Sequence, residues 1–220
     1  MNSRPDLWCE KQLWSRGYRW IAGIDEAGRG AWAGPVVAAF VILPQYLSRV
    51  SDIFGAVNDS KLLSTRARER CYDLIVECAV CYGVGAASSD EIDRIGIVPA
   101  TRAAMARAVM HGPIRPDYLL IDALPLPGFD CAQCAIIKGD RYSLSVAAAS
   151  IVAKVTRDRR MVALDERLFG YGWDRNKGYG TKEHRQALHA LGPTSYHRHS
   201  FAPIRVLEGM MTDGSEQAHR

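Results

Sequence analysis

Two apolar stretches near the start of this 220-residue chain constrain its fold more than any other feature. The first covers residues 18–24, and the second, residues 35–43, reads Pro-Val-Val-Ala-Ala-Phe-Val-Ile-Leu. A near-continuous apolar run of this length is typical of a β-strand that is buried on both faces. Because such a strand needs helices above and below its sheet, the two stretches predict an α/β protein.

The rest of the chain alternates between helical and strand-like patterns. Ser64 is suited to cap one helix, Ser88 or Ser89 a short acidic one, and Ser143 or Ser145 is suited to begin a long one rich in small residues. Helices are expected at about 64–80, 90–95, 99–110 and 143–168, and further strands at 81–87, 118–124 and 134–138. This order predicts a mixed sheet with flanking helices.

The length allows one well-buried core, and the composition, 48% apolar and 24% charged, is that of an ordinary globular protein. We expect an N-terminal extension at residues 1–17 and one domain at 18–207 that ends in a helical extension. The sequence turns polar after Arg205, so a frayed tail is expected at 208–220.

The net charge of +4 and the isoelectric point near 8.8 permit a polyanionic partner but are too small to demonstrate one. No N-terminal segment has the pattern of a signal peptide, and no apolar run reaches the ~20 residues of a membrane span. We therefore expect a cytoplasmic protein without membrane contact. Separately, we expect a monomer.

Six cysteines include two Cys-x-x-Cys pairs, Cys78 with Cys81 and Cys131 with Cys134, which raises the possibility of a zinc site. The gap between the pairs is much longer than the ~15–20 residues of a zinc ribbon. Cys71 and Cys78 also share an apolar helical face, where a free cysteine behaves as a small hydrophobe. Buried thiols are the favoured interpretation.

The first apolar run ends in two carboxylates, Asp25 and Glu26, which are followed by a glycine-rich turn. Neighbours in a regular strand point to opposite faces, so both carboxylates reach one site only if the strand ends or bulges there. Gly28 and Gly30 make such a departure easy, and Arg29 offers a fixed cation to a phosphate. A surface hairpin with solvated charges is the alternative for an isolated pair.

Two further carboxylates, Asp122 and Asp140, follow later predicted strands. Sites in α/β proteins form at strand ends, so all four acids can converge, and their repulsion favours bound cations. Oxygen ligands without His or Cys suit Mg²⁺ or Mn²⁺, and two ions about 3.5–4 Å apart can activate a water and stabilise a leaving oxygen. Considered singly, Asp122 fits the pattern of a strand-end turn residue as well as that of a metal ligand. In the same way, Asp140 fits the pattern of a helix-capping residue.

Between Tyr18 and Arg205 the sequence resembles the type 2 ribonuclease H family, the bacterial ribonucleases HII. The resemblance rests on the motifs Gly-Ile-Asp-Glu-Ala-Gly-Arg-Gly (23–30), Ala-Gly-Pro-Val-Val (33–37), Asp-Ser-Lys-Leu-Leu-Ser (59–64), Leu-Ile-Asp (120–122), Lys-Gly-Asp (138–140), the helical segment 145–158, Gly-Tyr-Gly-Thr (178–181) and His-Arg-His-Ser-Phe (197–201).

That resemblance implies a ribonuclease H-like fold, a mixed five-stranded sheet flanked by helices with a C-terminal helical extension. It places Asp25, Glu26, Asp122 and Asp140 at the catalytic, metal-binding positions, with Mg²⁺ or Mn²⁺ as cofactor. The implied reaction is hydrolysis of the RNA strand of RNA/DNA hybrids and cleavage 5′ to ribonucleotides embedded in duplex DNA. The products carry 3′-hydroxyl and 5′-phosphate ends, and the implied role is removal of ribonucleotides from DNA.

The resemblance also assigns substrate contacts. Gly28, Arg29 and Gly30 match the turn that contacts the ribose 2′-hydroxyl, a group that is both donor and acceptor and distinguishes RNA from DNA. Tyr179 matches the aromatic residue that stacks on the next sugar and favours deoxyribose; without the resemblance it would be an ordinary core or rim tyrosine. Among candidate phosphate contacts, Lys61 and Arg29 come first. The others are Lys154, Arg157, Lys177, Lys182 and Arg198.

His184 lies on an apolar helical face, so we expect it to pack behind the site rather than bind metal, while His197 and His199 are expected at the surface. The sequence departs from the family pattern in two places, at Ala31-Trp32 after the glycine turn and at Asn176 before Lys-Gly-Tyr-Gly-Thr. They bear on loop geometry and substrate affinity rather than on the four acids.

Two rival interpretations remain at this point. A DNA-directed nuclease could use the same scaffold, because an acidic cluster alone does not distinguish sugars. A non-catalytic nucleic-acid-binding module could also keep the fold, although four converging negative charges would not help a protein to bind a polyanion.

Overall fold

The computed structural model describes residues 5–45 and 64–217. Its described residues form two compact units that interleave along the chain. The first draws on residues 5–27, 37–45, 64–86 and 101–156, and the second on 28–36, 87–100 and 157–217. Within the described ranges, no helix is both long and apolar enough to cross a bilayer.

The first unit carries a mixed five-stranded sheet with the strand order β3-β2-β1-β4-β5. The strands are β1 (Ile21–Ala27), β2 (Val36–Ile42), β3 (Cys81–Ala87), β4 (Tyr118–Asp122) and β5 (Ala132–Ile136). β1 pairs antiparallel with β2 and parallel with β4, which in turn pairs parallel with β5. Every residue of β2 is buried, as its continuous apolar sequence predicted.

Helices surround this sheet and build most of the second unit. They are α1 (Trp8–Trp14), α2 (Thr65–Cys78), α3 (Ser89–Ile95), α4 (Ile97–Met110), α5 (Leu144–Asp165), α6 (Trp173–Asn176), α7 (Lys182–Leu191) and α8 (Ala202–Gln217), with one 3-10 turn at Gly139–Arg141. Ser64 and Ser88 cap α2 and α3 as expected. Ser143, rather than Ser145, caps α5, because its Oγ accepts from Val146 N at 3.2 Å.

The core of the first unit lies between the sheet and α5. Alanines 147, 148, 149 and 153 of α5 are buried against Ala39, Val41 and Ile75. The approach is closest at Gly23, where an added Cβ would lie 2.0 Å from the carbonyl carbon of Ser145. The small residues of α5 therefore bring the start of this helix directly onto β1.

The core of the second unit is aromatic. Trp173 is fully buried and stacks on Tyr171 with ring centroids 5.0 Å apart, and Met161, Leu188 and Ile204 surround this pair. The aromatic stack fixes the loop that leads from α6 to α7, which carries Tyr179.

Several boundaries differ from the sequence expectations. The expected end or bulge of β1 at Asp25 is wrong, because β1 keeps its register with β2 from Ala22↔Ile42 to Ala27↔Val37. The strand β5 ends at Ile136, two residues earlier than expected. Helix α8 continues to Gln217, through most of the stretch for which a frayed tail was expected.

Candidate active site

One edge of the first unit, which we call the acidic edge, carries Asp25 and Glu26 of β1, Asp122 of β4 and Asp140 after β5. It is built on the adjacent strands β1 and β4. The two strands run parallel with Ile24 opposite Ile121, so Asp25 and Asp122 follow on neighbouring strands. The Asp25 side chain is only 7% exposed, and its Oδ1 accepts from the backbone N–H of Glu26 at 2.7 Å. The pairing of the strands, rather than chain proximity, brings these two acids to one edge.

Asp140 joins this edge through the turn after β5. The N–H of Gly139 donates to Asp122 Oδ1 at 2.7 Å, and the 3-10 turn that begins at Gly139 carries Asp140 as its second residue. Lys138, just before the turn, has a φ of 60° and so takes the left-handed conformation that reverses the chain. Asp122 and Asp140 are therefore linked through a single residue, Gly139.

The pKa of Asp25 depends on its burial and on the charges of the other three carboxylates. Burial raises the pKa of Asp25 well above its usual value, and the negative charges of Glu26 and Asp122 raise it further, with a smaller contribution from Asp140. The hydrogen bond from Glu26 N–H acts in the opposite direction. The structure therefore brings the four predicted acids close enough for three of them to disfavour ionisation of the fourth.

The chemical type of the four acidic side chains suits a divalent metal ion, whereas their positions in this structure do not form a complete coordination site. Four carboxylates and no histidine or thiolate form the all-oxygen donor set that Mg²⁺ and Mn²⁺ prefer. Within residues 5–45 and 64–217, however, no three His, Cys, Asp or Glu side chains are placed to hold a metal ion. Because Asp25 and Glu26 sit in regular strand register, their side chains alternate, and they must shift to share an ion.

The glycine turn belongs to the second unit, where two buried arginines hold it. Arg198 is fully buried and donates to the carbonyl oxygens of Gly28 at 2.7 Å, Arg29 at 2.8 Å and Gly34 at 2.9 Å. Arg157, also fully buried, donates to the carbonyl oxygens of Pro35 at 2.9 Å, Ala33 at 3.1 Å and Lys177 at 2.9 Å.

This burial corrects the proposed phosphate role of Arg157 and Arg198. Their guanidinium groups are committed to backbone carbonyls inside the protein. Burial lowers the pKa of Arg198 to about 9, with a further contribution from the Arg157 charge, and burial also lowers the pKa of Arg157. A pKa of about 9 leaves Arg198 charged at neutral pH, and the oxygens of the turn compensate this charge.

The direction of these carbonyls fixes the direction of the neighbouring amides. In a trans peptide the C=O group and the following N–H group point to opposite sides, and the described chain contains no cis bond. Since the carbonyls of Gly28 and Arg29 point to Arg198, the N–H groups of Arg29 and Gly30 point away from it. The turn therefore presents two backbone donors on the side opposite to the arginine.

Internal packing constrains the two glycines of the turn differently. Gly28 has a φ of 91°, and a Cβ there would lie 1.9 Å from Nε of Arg157, so internal packing demands glycine. Gly30 is exposed, and a Cβ there would meet no described atom within 4 Å. Internal packing does not demand glycine at position 30.

The loop that carries Tyr179 is held by Asn176, the residue that departs from the family pattern. Asn176 is buried; its Nδ2 donates to Tyr171 O at 2.7 Å and its Oδ1 accepts from Gly178 N at 2.8 Å. The half-buried ring of Tyr179 lies 5.3 Å from the guanidinium carbon of Arg157. Asn176 therefore supplies both a donor and an acceptor to the loop.

Two buried histidines, His184 and His197, support the loop that carries Tyr179. The hydrogen-bond partners of their ring nitrogens determine which nitrogen of each ring carries the proton. Thr194 N–H donates to His197 Nδ1 at 2.9 Å, which places the His197 proton on Nε2. That proton is donated to His184 Nε2 at 3.1 Å, so the His184 proton lies on Nδ1, 3.1 Å from Tyr179 O. Trp173 Nε1 also donates to His184 Nε2, at 3.2 Å.

Both histidines are neutral at physiological pH. Burial lowers the pKa of His184, and burial together with the nearby His184 lowers the pKa of His197 to about 3. The expected packed role of His184 fits its position, whereas the expected surface location of His197 is wrong. His199 is partly buried, with Nδ1 2.5 Å from Glu208 Oε1.

The remaining candidates that the structure describes differ in their exposure to solvent. Arg29 is exposed, Lys154 is half-buried, and Lys182 is exposed at the start of α7. Lys177 donates from Nζ to the carbonyl oxygen of Asp174. Lys61, with the surrounding motif at 59–63, lies outside the described residues.

Comparison with known proteins agrees with this geometry. The family model described as Ribonuclease HII matches residues 22–204. Ribonuclease HII of Chloroflexus aurantiacus is 52% identical over 91% of this chain and 94% of that protein. Ribonuclease HII of Bacillus subtilis is 50% identical over 89% of this chain and 74% of that protein.

The solved structure of ribonuclease H2 from Pyrococcus horikoshii superposes with a TM-score of 0.74 at 24% identity, over 88% of this chain and 99% of that chain. The sheet and its flanking helices thus define an α/β protein of ribonuclease H-like fold. Within that class, the chain belongs to the ribonuclease HII family. It is accordingly a ribonuclease H, an endonuclease that hydrolyses nucleic acid.

Proposed function

We propose that this enzyme depends on divalent cations, hydrolyses the RNA strand of RNA/DNA hybrids and cuts duplex DNA 5′ to embedded ribonucleotides. The products carry 3′-hydroxyl and 5′-phosphate ends, and the enzyme acts as a cytoplasmic monomer that removes ribonucleotides from DNA. The observation that carries the proposal is the parallel pairing of β1 with β4, which puts Asp25 and Asp122 on neighbouring strands, with Asp140 joined to Asp122 through Gly139. The raised pKa of Asp25 agrees with this arrangement.

The acidic edge supports divalent cations on energetic grounds. A buried carboxylate surrounded by three others is disfavoured in its charged form, and cations relieve that repulsion. A ribonuclease HIII of the same fold, 20% identical with a TM-score of 0.63, has been solved in complex with Mn²⁺. We assign Asp25, Glu26, Asp122 and Asp140 to two ions, Mg²⁺ or Mn²⁺.

When bound, the ions would supply an activated water and charge stabilisation at the leaving oxygen. The protein's own residues hold the ions and the substrate, and a direct water attack requires no covalent intermediate on a side chain. The water gives up a proton and forms the new bond to phosphorus as the bond from phosphorus to the 3′-oxygen breaks, and that oxygen takes up a proton and leaves as the 3′-hydroxyl.

The glycine turn supports recognition of ribose. The backbone N–H groups of Arg29 and Gly30 point away from Arg198, so they can meet the oxygen of a 2′-hydroxyl. The open space at Gly30 allows a sugar to approach the backbone closely. We assign the 2′-hydroxyl to this turn and the following deoxyribose to the ring of Tyr179, with Lys61 and Arg29 as phosphate contacts.

A cleavage assay tests the proposal. The substrates are a DNA duplex with one ribonucleotide, the same duplex without it and an RNA/DNA hybrid, each with Mg²⁺ and with a chelator. We expect the single-ribonucleotide duplex and the RNA/DNA hybrid to be cleaved with Mg²⁺ but not with the chelator. The products should carry 3′-hydroxyl and 5′-phosphate ends. Cleavage of the all-DNA duplex would indicate a DNA-directed nuclease, and binding without cleavage would indicate a binding module.

A further inference from the structure

The N-terminal helix α1 places a buried carboxylate against the start of α5. Glu10 is 1% exposed, and its Oε1 accepts from Ser143 Oγ at 2.6 Å, Ser145 Oγ at 2.6 Å and Ser145 N at 2.9 Å. These contacts join residues that are 133 and 135 positions apart in the sequence.

A second contact strengthens the same junction. The carbonyl oxygen of Asp6 accepts from Leu144 N at 3.0 Å, and Asp6 forms an isolated parallel bridge with Ser143. Because α5 begins at Leu144 and runs for 22 residues, the Glu10 carboxylate also meets the positive end of a long helix dipole. Segment 6–10 thus serves as a clamp on residues 143–145.

Hydrogen bonds continue from this clamp to the acidic edge. Ser143 N donates to Gly139 O at 2.9 Å, and Gly139 N donates to Asp122 Oδ1 at 2.7 Å. Asp140 lies between Gly139 and Ser143 in the same short turn. The path from Glu10 to Asp122 therefore crosses only two intervening residues, Ser143 and Gly139.

Stability alone does not explain why the Glu10 carboxylate is buried in the clamp. A buried carboxylate is costly unless its oxygens are hydrogen-bonded. Oε1 of Glu10 has three donors, yet Oε2 is buried and has no hydrogen-bond partner among the described residues. An unsatisfied buried oxygen of this kind requires an explanation beyond packing.

We propose that Glu10 is a positioning residue for the acidic edge, which holds the turn at 139–143 so that Asp122 and Asp140 keep their places for divalent cations. This inference rests on the proposed metal-dependent function. It gives the N-terminal helix a part in catalysis although Glu10 itself touches neither ion nor substrate. Partners that orient metal ligands in this way typically change metal affinity about 10- to 100-fold when removed.

The primary test is calorimetric titration of Mn²⁺ into the protein without substrate, at a temperature where circular dichroism shows every variant folded. We expect Glu10→Ala to weaken Mn²⁺ binding about tenfold. Glu10→Gln keeps an oxygen acceptor for both serines and should stay within about twofold of the wild type. The matched control is Gln12→Ala, an exposed position on the same helix, and should change nothing.

Substitution of Ser143 and of Ser145 distinguishes a positioning role of Glu10 from a purely structural one. Both donate to Glu10, but only Ser143 has the backbone bond to Gly139. Ser143→Ala should therefore weaken Mn²⁺ binding more than Ser145→Ala. This pair also replaces Glu10→Ala in the test if that variant does not fold.

Amide hydrogen exchange of residues 139–143 supplies a readout that needs no metal. In Glu10→Ala we expect faster exchange in this turn, with exchange in β2 unchanged. A lower melting temperature with wild-type Mn²⁺ affinity and wild-type exchange in the turn would overturn the inference and leave Glu10 a structural anchor. If the wild type binds no Mn²⁺, the proposed function fails, while the exchange measurement still decides whether Glu10 holds the turn.

Discussion

Arg198 holds the carbonyl oxygen of Gly28 with a 2.7 Å hydrogen bond from Nη2, inside the protein and out of reach of any phosphate. The same guanidinium group binds the carbonyls of Arg29 and Gly34. A planar group with donors in a fixed fork can bind several carbonyls at once, which a single ammonium cannot. Arg198 therefore determines which way the amides of the glycine turn face.

The first prediction concerns this arginine. Arg198→Lys should reduce cleavage at a single ribonucleotide at least tenfold and lower the free energy of unfolding by about 1.5–3 kcal/mol, because hydrogen bonds from a charged donor are lost. Mn²⁺ affinity should not change. Arg205→Lys, an exposed arginine of α8, is the matched control for cleavage and urea denaturation. Wild-type cleavage by Arg198→Lys would show that the turn does not depend on the fork.

The two turn glycines should separate stability from activity. Gly28→Ala should lower the free energy of unfolding by at least about 1 kcal/mol, since the left-handed conformation is unfavourable for alanine and its Cβ meets Arg157. Gly30→Ala should unfold like the wild type but lose kcat/KM on the single-ribonucleotide duplex. Urea denaturation and cleavage assays check both. Full activity of Gly30→Ala would exclude close approach of substrate at this residue.

Asp122→Asn should nearly abolish turnover without harming the fold. The amide oxygen of asparagine can still accept from Gly139 N, and removal of one charge reduces the repulsion at Asp25. The free energy of unfolding without metal should therefore be equal to or higher than that of the wild type. Single-turnover cleavage and urea denaturation measure the two effects, and wild-type turnover would remove Asp122 from the site.

Tyr179→Ala should affect junction recognition more than folding. If the ring contacts the deoxyribose next to the ribonucleotide, cleavage of the single-ribonucleotide duplex should fall further than cleavage of an RNA/DNA hybrid. The ratio of kcat/KM on the two substrates is the measurement. An equal loss on both would contradict a junction-reading role.

The buried histidines predict a specific pH dependence of stability. The pKa of His197 is about 3 in the folded protein, below its ordinary value of 6.5, so the neutral form stabilises the fold at neutral pH. This stabilisation is lost as pH falls from 6.5 towards 3, by up to about 1.4 kcal/mol per pH unit. His197→Asn should flatten this part of the stability curve. Nitrogen NMR should also place the His184 proton on Nδ1, and a proton on Nε2 would contradict the assigned tautomers.

The sheet could be predicted because buried strands leave a direct mark on composition. The nine-residue apolar run at 35–43 brackets β2 to within one residue at each end. Convergence of Asp25 and Asp122 followed from strand ends in an α/β sheet, and their neighbouring parallel strands provide it. The extension of β1 to Ala27 could not be foreseen from its local sequence, because pairing with β2 overrides the turn preference of the following glycines.

The arginine and histidine contacts lay beyond sequence reasoning for a different reason. Burial of Arg198 depends on carbonyls of a turn 164 to 170 residues earlier in the chain. His197 lies outside any helix or strand, so no periodicity indicates its buried side. A cation or an imidazole in a loop has the same local signature whether it faces solvent or satisfies distant backbone groups.

Anomalous diffraction from crystals soaked in Mn²⁺ would show whether the four carboxylates hold metal, because it locates the ions without reference to activity. We expect anomalous peaks at the acidic edge, coordinated by oxygens of Asp25, Glu26, Asp122 and Asp140 after their side chains have moved together. Peaks elsewhere on the protein, with these four carboxylates unliganded, would contradict this expectation.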